Sequence, residues 1–176
     1  MSAGQIAKSV VLAVLLIAIV MAVWPGRSDP NSSDPNERLQ AIAELDGRTD
    51  DESIKTLVAL AGDPKPHVAT AAVKAIGAYP KLSPAPLRKI LASKKEDPQV
   101  RAGAARGLAR RRDKTALKEL VEALEDPDAR VRLWAITAIG RTTAFRFKFD
   151  AFAPPAKQQN EIRFIKDTLR RRTAYK

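Results

Sequence analysis

A spacing of about 31 residues constrains this chain more than any other feature. Four segments align without gaps on an alanine: RLQAIAELDG from Arg38, ATAAVKAIGA from Ala69, RAGAARGLAR from Arg101 and RLWAITAIGR from Arg132. Their anchors, Ala41, Ala72, Ala104 and Ala135, are separated by 31, 32 and 31 residues. The next position holds Ile42, Val73, Ala105 and Ile136, and three further on stand Leu45, Ile76, Leu108 and Ile139. These offsets fall on one side of a helix, so each copy predicts an amphipathic helix with an apolar face to bury. One such unit cannot hide that face alone, whereas stacked copies can.

Each copy follows an Asp-Pro pair, at Asp34, Asp63, Asp97 and Asp126. Aspartate can accept the free N–H groups of a helix start, and proline is tolerated in the first turn. Gly77 and Gly140 stand where two of the helices are expected to stop. Further amphipathic stretches lie at 51–61, 83–93, 114–124 and 157–172. The expectation is all-α: an α-solenoid of about four helix pairs, preceded by an N-terminal hydrophobic helix.

The stretches DPKPHVATAAVKAIG (63–77), DPQVR (97–101) and DPDARVRLWAITAIG (126–140) resemble the HEAT-repeat family, in particular the short HEAT-like repeats of the phycobilisome-lyase type. The resemblance runs from Asp34 to Arg172. It implies an armadillo-type fold in which the second helix of each pair lines a concave, partner-binding surface. Glu37 replaces the valine of the other copies (Val68, Val100, Val131), as a polar terminal repeat would. The activity of bilin-lyase relatives is not carried over, because this chain is shorter and bears an apolar N-terminal segment.

That segment, Val10 to Trp24, is fifteen consecutive apolar residues. As a helix it spans roughly 22 Å, short of a ~30 Å hydrocarbon core and at the upper limit for a signal peptide. Residues 1–25 therefore read as a membrane anchor or a cleaved signal, with Trp24 at the interface. Lys8 precedes the run, while Asp29 and Asp34 offset Arg27 after it. The positive-inside rule then places the body on the extracytoplasmic side, periplasmic or exported, and secreted if the segment is cleaved. Residues 26–36 read as a flexible linker, and 37–176 as the solenoid with an aromatic insertion at 142–156.

Little in the chain suggests catalysis. There is no cysteine and one histidine, His67, at the start of a repeat helix. No phosphate loop, metal-ligand spacing or nucleotide fingerprint is present, so no catalytic residue, cofactor or metal is expected. Charge is the stronger clue. The net charge of +11 lies almost wholly beyond Val100, where 19 basic residues face 9 acidic ones. Such a surplus attracts acidic proteins, nucleic acid or acidic lipid, and also occurs as a plain solvated face.

With the repeat positions set inward, the outward stripes read Arg130, Trp134, Thr137, Arg141; then Gln99, Gly103, Arg106, Arg110; then His67, Ala71, Lys74, Ala78. Arg111 and Arg112 extend them, and Arg170–Arg172 flank them. The candidate partner-binding residues are Lys74, Arg106, Arg110, Arg111, Arg130, Trp134 and Arg141, with Trp134 read as an aromatic anchor or a partly buried core residue. Four of the five phenylalanines sit in AFRFKFDAFAPP, 144–155. Alternation of Phe145, Phe147 and Phe149 with charged residues predicts an extended segment with one apolar edge. It caps the open end of the solenoid, or else offers Phe147 and Phe149 to a partner or a membrane surface. The functional expectation is a non-enzymatic scaffold, membrane-anchored or exported, for an acidic or membrane-associated protein. The alternative is a nucleic-acid-binding solenoid with a cytoplasmic body.

Overall fold

The structure is a computed structural model and describes residues 28–79 and 82–172. The apolar run at 10–24 lies outside the described residues. Among those described, no helix is long and apolar enough to cross a membrane.

Eight α-helices follow in order among the described residues: α1 Pro35–Leu45, α2 Asp51–Leu60, α3 Pro66–Ala78, α4 Ala85–Ala92, α5 Pro98–Arg111, α6 Leu117–Glu122, α7 Ala129–Thr143 and α8 Gln159–Arg172. The odd-numbered helices pack in sequence, α1 on α3, α3 on α5 and α5 on α7. Helices α4, α6 and α8 make a second row, and each odd helix from α3 onward packs on the even helix before it. The anchor alanines at 41, 72, 104 and 135 are all buried, because a methyl group is what adjacent helices can accommodate at this spacing.

Gly77 and Gly140 do not stop helices. Helix α3 runs on to Ala78 and α7 to Thr143. Gly77 instead serves packing: a Cβ there would lie 2.9 Å from the Gly107 Cα. Val73 meets Gly103 one turn earlier, so α3 and α5 run parallel and in register. Left-handed Arg112 and Ala144 end α5 and α7, left-handed Gly47 lies just beyond α1, and α3 ends on extended Tyr79.

The four Asp-Pro aspartates divide into two roles. Asp34 and Asp97 cap their helices, accepting from the backbone N–H of Asn36 and Gln99. At the other two sites the helix starts later, with Lys65 and Asp128 at the cap position. That releases Asp63 and Asp126 to bind arginines of the preceding repeat. Arg38 on α1 forks onto Asp63 at 2.6 and 3.0 Å. Arg101 on α5 forks onto Asp126 at 3.0 and 2.9 Å. Both pairs are 25 residues apart in sequence and bidentate, the strong geometry for a guanidinium and a carboxylate.

Each of these arginines also donates backwards, to a carbonyl of its own loop: Arg38 to Ser32 and Arg101 to Glu96. Residues 28–36, the described part of the expected linker, are also tied to the first repeat. Ser28 donates from its N–H and Oγ to the Glu44 carboxylate at 3.1 and 2.7 Å, and Pro35 and Asn36 already belong to α1. The stretch is the loop that the first arginine needs.

Arg132 on α7 occupies the same repeat position at the far end. It donates backwards to the carbonyls of Asp126 and Pro127, and forwards to those of Ala151 and Ala153 at 2.9 and 3.2 Å. The aromatic segment thus stands where the next repeat's loop would be. Phe145, Phe147 and Phe149 are half-buried against the core, while Arg146, Lys148 and Asp150 between them are exposed. Helix α8 closes the end with Ile162, Ile165 and Leu169 buried.

Asp126 is fully buried, which works against its charged form, but the Arg101 fork, the Asp128 N–H and the charges of Arg101 and Lys94 outweigh this and hold its pKa below the usual carboxylate value. A carboxyl whose folded pKa is depressed adds stability above its unfolded pKa of ~3.9, and that stability is lost as pH falls through the folded value. Asp126→Asn is therefore expected to cost about 3 kcal/mol at neutral pH in urea unfolding. The gap to wild type should close only below about pH 4. A gap that is small at pH 7, or unchanged at pH 3, would contradict this.

Candidate functional site

Helices α3, α5 and α7 present the outward stripe side by side. Lys74, Arg106, Arg110, Arg130 and Arg141 are all exposed on it. Three of them converge. Lys74 from α3 and Arg106 and Arg110 from α5 line one cavity of about 90 Å³, together with Thr70 and the glycines at 77, 103 and 107. The glycines bring the two helices to backbone contact, so the long cationic side chains rise on either side of a shallow floor. Lys74 and Arg110 also line an adjoining cavity of about 230 Å³, bounded on the α1 side by Leu39, Ile42 and Asp46.

Trp134 on α7 joins this group through Arg106, whose guanidinium carbon lies 5.1 Å from the centre of the indole. The ring is half-buried and packs against the core. The reading of Trp134 as a partly buried core residue fits this packing, and its ring also carries the Arg106 cation. Arg130 lies one turn before Trp134 and turns back onto its own helix cap, with Nη2 2.9 Å from Asp128 Oδ2. That partner raises the Arg130 pKa.

Arg111 leaves the stripe. Its guanidinium is half-buried and donates to the carbonyls of Ile76, Tyr79 and Leu82. Burial lowers its pKa below the usual arginine value, the Asp113 charge acting against this. Its work is structural: it closes the C-terminal end of α3 and the start of the next loop from the neighbouring α5. Ala69 supplies the reason, since the second repeat has no arginine at the position of Arg38 and Arg101. Arg111 ties those repeats by another route.

Phe147 and Phe149 are remote from the cationic group in their packing partners. Phe147 stacks edge-on with Phe145 at 6.2 Å, and the pair lines a cavity of about 330 Å³ with Phe164, Arg171 and Arg172. Arg172 lies over the Phe145 ring at 5.6 Å. The rings left to solvent are Phe164 at 64 % and Phe152 at 71 % exposure, not the two singled out from the sequence. The residues that sequence reading missed are Thr70 and Asp46. Thr70 sits one position off the outward stripe, and Asp46 belongs to the loop after α1. Neither carries a repeat signature.

The model for HEAT repeats matches residues 30–94 and 84–146. The chain belongs to the HEAT-repeat family. The two matched stretches overlap across α4, and together they run from the loop held by Arg38 to the start of the aromatic segment. No curated protein sequence matches this chain. HEAT repeats generally mediate protein binding, which directs attention to faces rather than to catalytic clefts. A cavity of about 710 Å³ lies among the loops around Arg38 and Asp63, whose charges neutralise each other.

The packing of Phe147 and Phe149 gives a direct test. Phe147→Ser with Phe149→Ser should lower the thermal midpoint by well over 5 °C, as loss of two half-buried rings in a domain of this size implies. An unchanged midpoint with a lost partner would reassign these rings to binding.

Proposed function

We propose that this protein is a non-catalytic scaffold whose odd-helix face receives an acidic protein segment. The observation that carries the reading is the convergence of Lys74, Arg106 and Arg110 from two helices on one cavity, with Arg106 extended onto Trp134. Among the described residues, none of these three cations forms an ion pair within the fold, in contrast to Arg38, Arg88 and Arg101, each bound to a carboxylate. Cations left for a partner steer it, and an adjacent half-buried aromatic supplies the desolvated anchor that solvated charges lack. The apolar run at 10–24 would hold this face at a membrane, with the body extracytoplasmic.

The test uses the full chain in detergent on immobilised polyglutamate. Lys74→Glu, Arg106→Glu and Arg110→Glu together should weaken retention roughly 100-fold, about 1 kcal/mol for each charge. Retention equal to wild type would refute the face. Tighter binding to duplex DNA than to polyglutamate at the same salt would replace the acidic protein with nucleic acid.

A further inference from the structure

We propose that the cavity between α3 and α5 seats a single carboxylate, the side-chain end of an aspartate or glutamate in the acidic partner segment. The carboxylate would be hydrogen-bonded by the Thr70 hydroxyl and paired with Lys74, Arg106 and Arg110. This rests on the reading that the odd-helix face receives an acidic partner, and it adds a defined seat to a broad attraction.

Thr70 is the decisive residue. An unpaired hydroxyl is not confined to one helical threonine, since Thr142 also has one, away from this cavity, whereas Thr56, Thr137 and Thr143 donate to the carbonyl four residues earlier at 2.9, 2.7 and 2.8 Å. Thr70 does not. Its Oγ1 is buried and has no hydrogen-bond partner, while the residue lines the cavity beneath the three cations. A buried hydroxyl left unpaired is costly, and an acceptor entering the cavity removes that cost.

The size and chemistry agree. About 90 Å³ corresponds to roughly three waters, room enough for one carboxylate with its methylene. A carboxylate offers two oxygens with about four acceptor sites, matched by one hydroxyl and the donors of three cations. The main-chain N–H groups of the glycine floor are inside helices and already engaged, so the side chains must do the recognising. One acidic group, Asp46, lines the adjoining cavity and accepts the Tyr79 hydroxyl at 2.9 Å. It tempers the charge of Lys74 and Arg110 without lining the seat itself.

The experiment is fluorescence anisotropy of a labelled, end-blocked hexaglutamate peptide with the full chain in detergent. Thr70→Val keeps the shape and branching and removes only the hydroxyl. It should weaken binding about tenfold, the value of one hydrogen bond to a charged group, with an unchanged salt dependence because no charge is altered. Thr70→Ser should bind within about twofold of wild type. Wild-type affinity in Thr70→Val, or equal loss in Thr70→Ser, overturns the seat. If Thr70→Val has no effect while the triple charge reversal abolishes binding, the face stands and only the seat falls. If neither has an effect, both fall. Displacement of the peptide by inorganic phosphate far more readily than by acetate, at matched ionic strength, would overturn the assignment to a carboxylate.

Discussion

A guanidinium on the first turn of an odd helix, gripping its own loop behind and the next repeat's loop ahead, sets how each repeat sits on its neighbour. Arg38 and Arg101 do this through bidentate contacts to Asp63 and Asp126, and Arg132 does it with backbone carbonyls alone. Apolar packing supplies most of the favourable energy in such a stack, yet it is non-directional and tolerates sliding. The fork between guanidinium and carboxylate is directional, and it is buried where misalignment would strand a charge. Register between repeats therefore depends on three arginines, with Arg111 holding the one junction where alanine interrupts the series.

Register is also what makes a face. Because α3 and α5 are parallel and aligned, Gly77 meets Gly107, and the cations of the two helices come to flank one floor. A slip of one residue between these helices would rotate Arg106 away from Lys74 and set a methyl or larger group against the neighbouring backbone. The arginines that build the stack and those that line the cavity are thus two populations, separated by what they touch. The first are satisfied by carboxylates and carbonyls of the fold; the second lie exposed along the odd-helix row.

The helices, their order and the inward positions were legible from the 31-residue period, since apolar offsets on an anchor alanine leave few packing choices. The alternating Phe segment was legible for the same reason: period two means one buried edge. Arg111 was not, because its role depends on where the preceding helix ends in space, which no local pattern encodes. The Asp-Pro signal was read correctly in kind but not in use. A later helix start at two of the four sites frees the aspartate for the preceding arginine. Residues 28–36 carried the composition of a linker, yet the backward bond of Arg38 requires a fixed carbonyl there, and Ser32 provides it. Within the candidate site, the cations followed from the stripe, while Thr70 and Asp46 emerged only from the meeting of separate elements.

Site-specific photo-crosslinking of the full chain in its native cells tests the central claim most directly, since it asks which row of helices meets the partner. A photoreactive residue at Ala78 or Gln99 lies exposed on the odd row, and one at Lys89 or Glu122 lies exposed on the even row. The account predicts an adduct with an acidic protein from positions 78 and 99, lost when Arg106 and Arg110 are reversed in charge. Adducts arising from positions 89 and 122 instead, or insensitive to those charges, would contradict it.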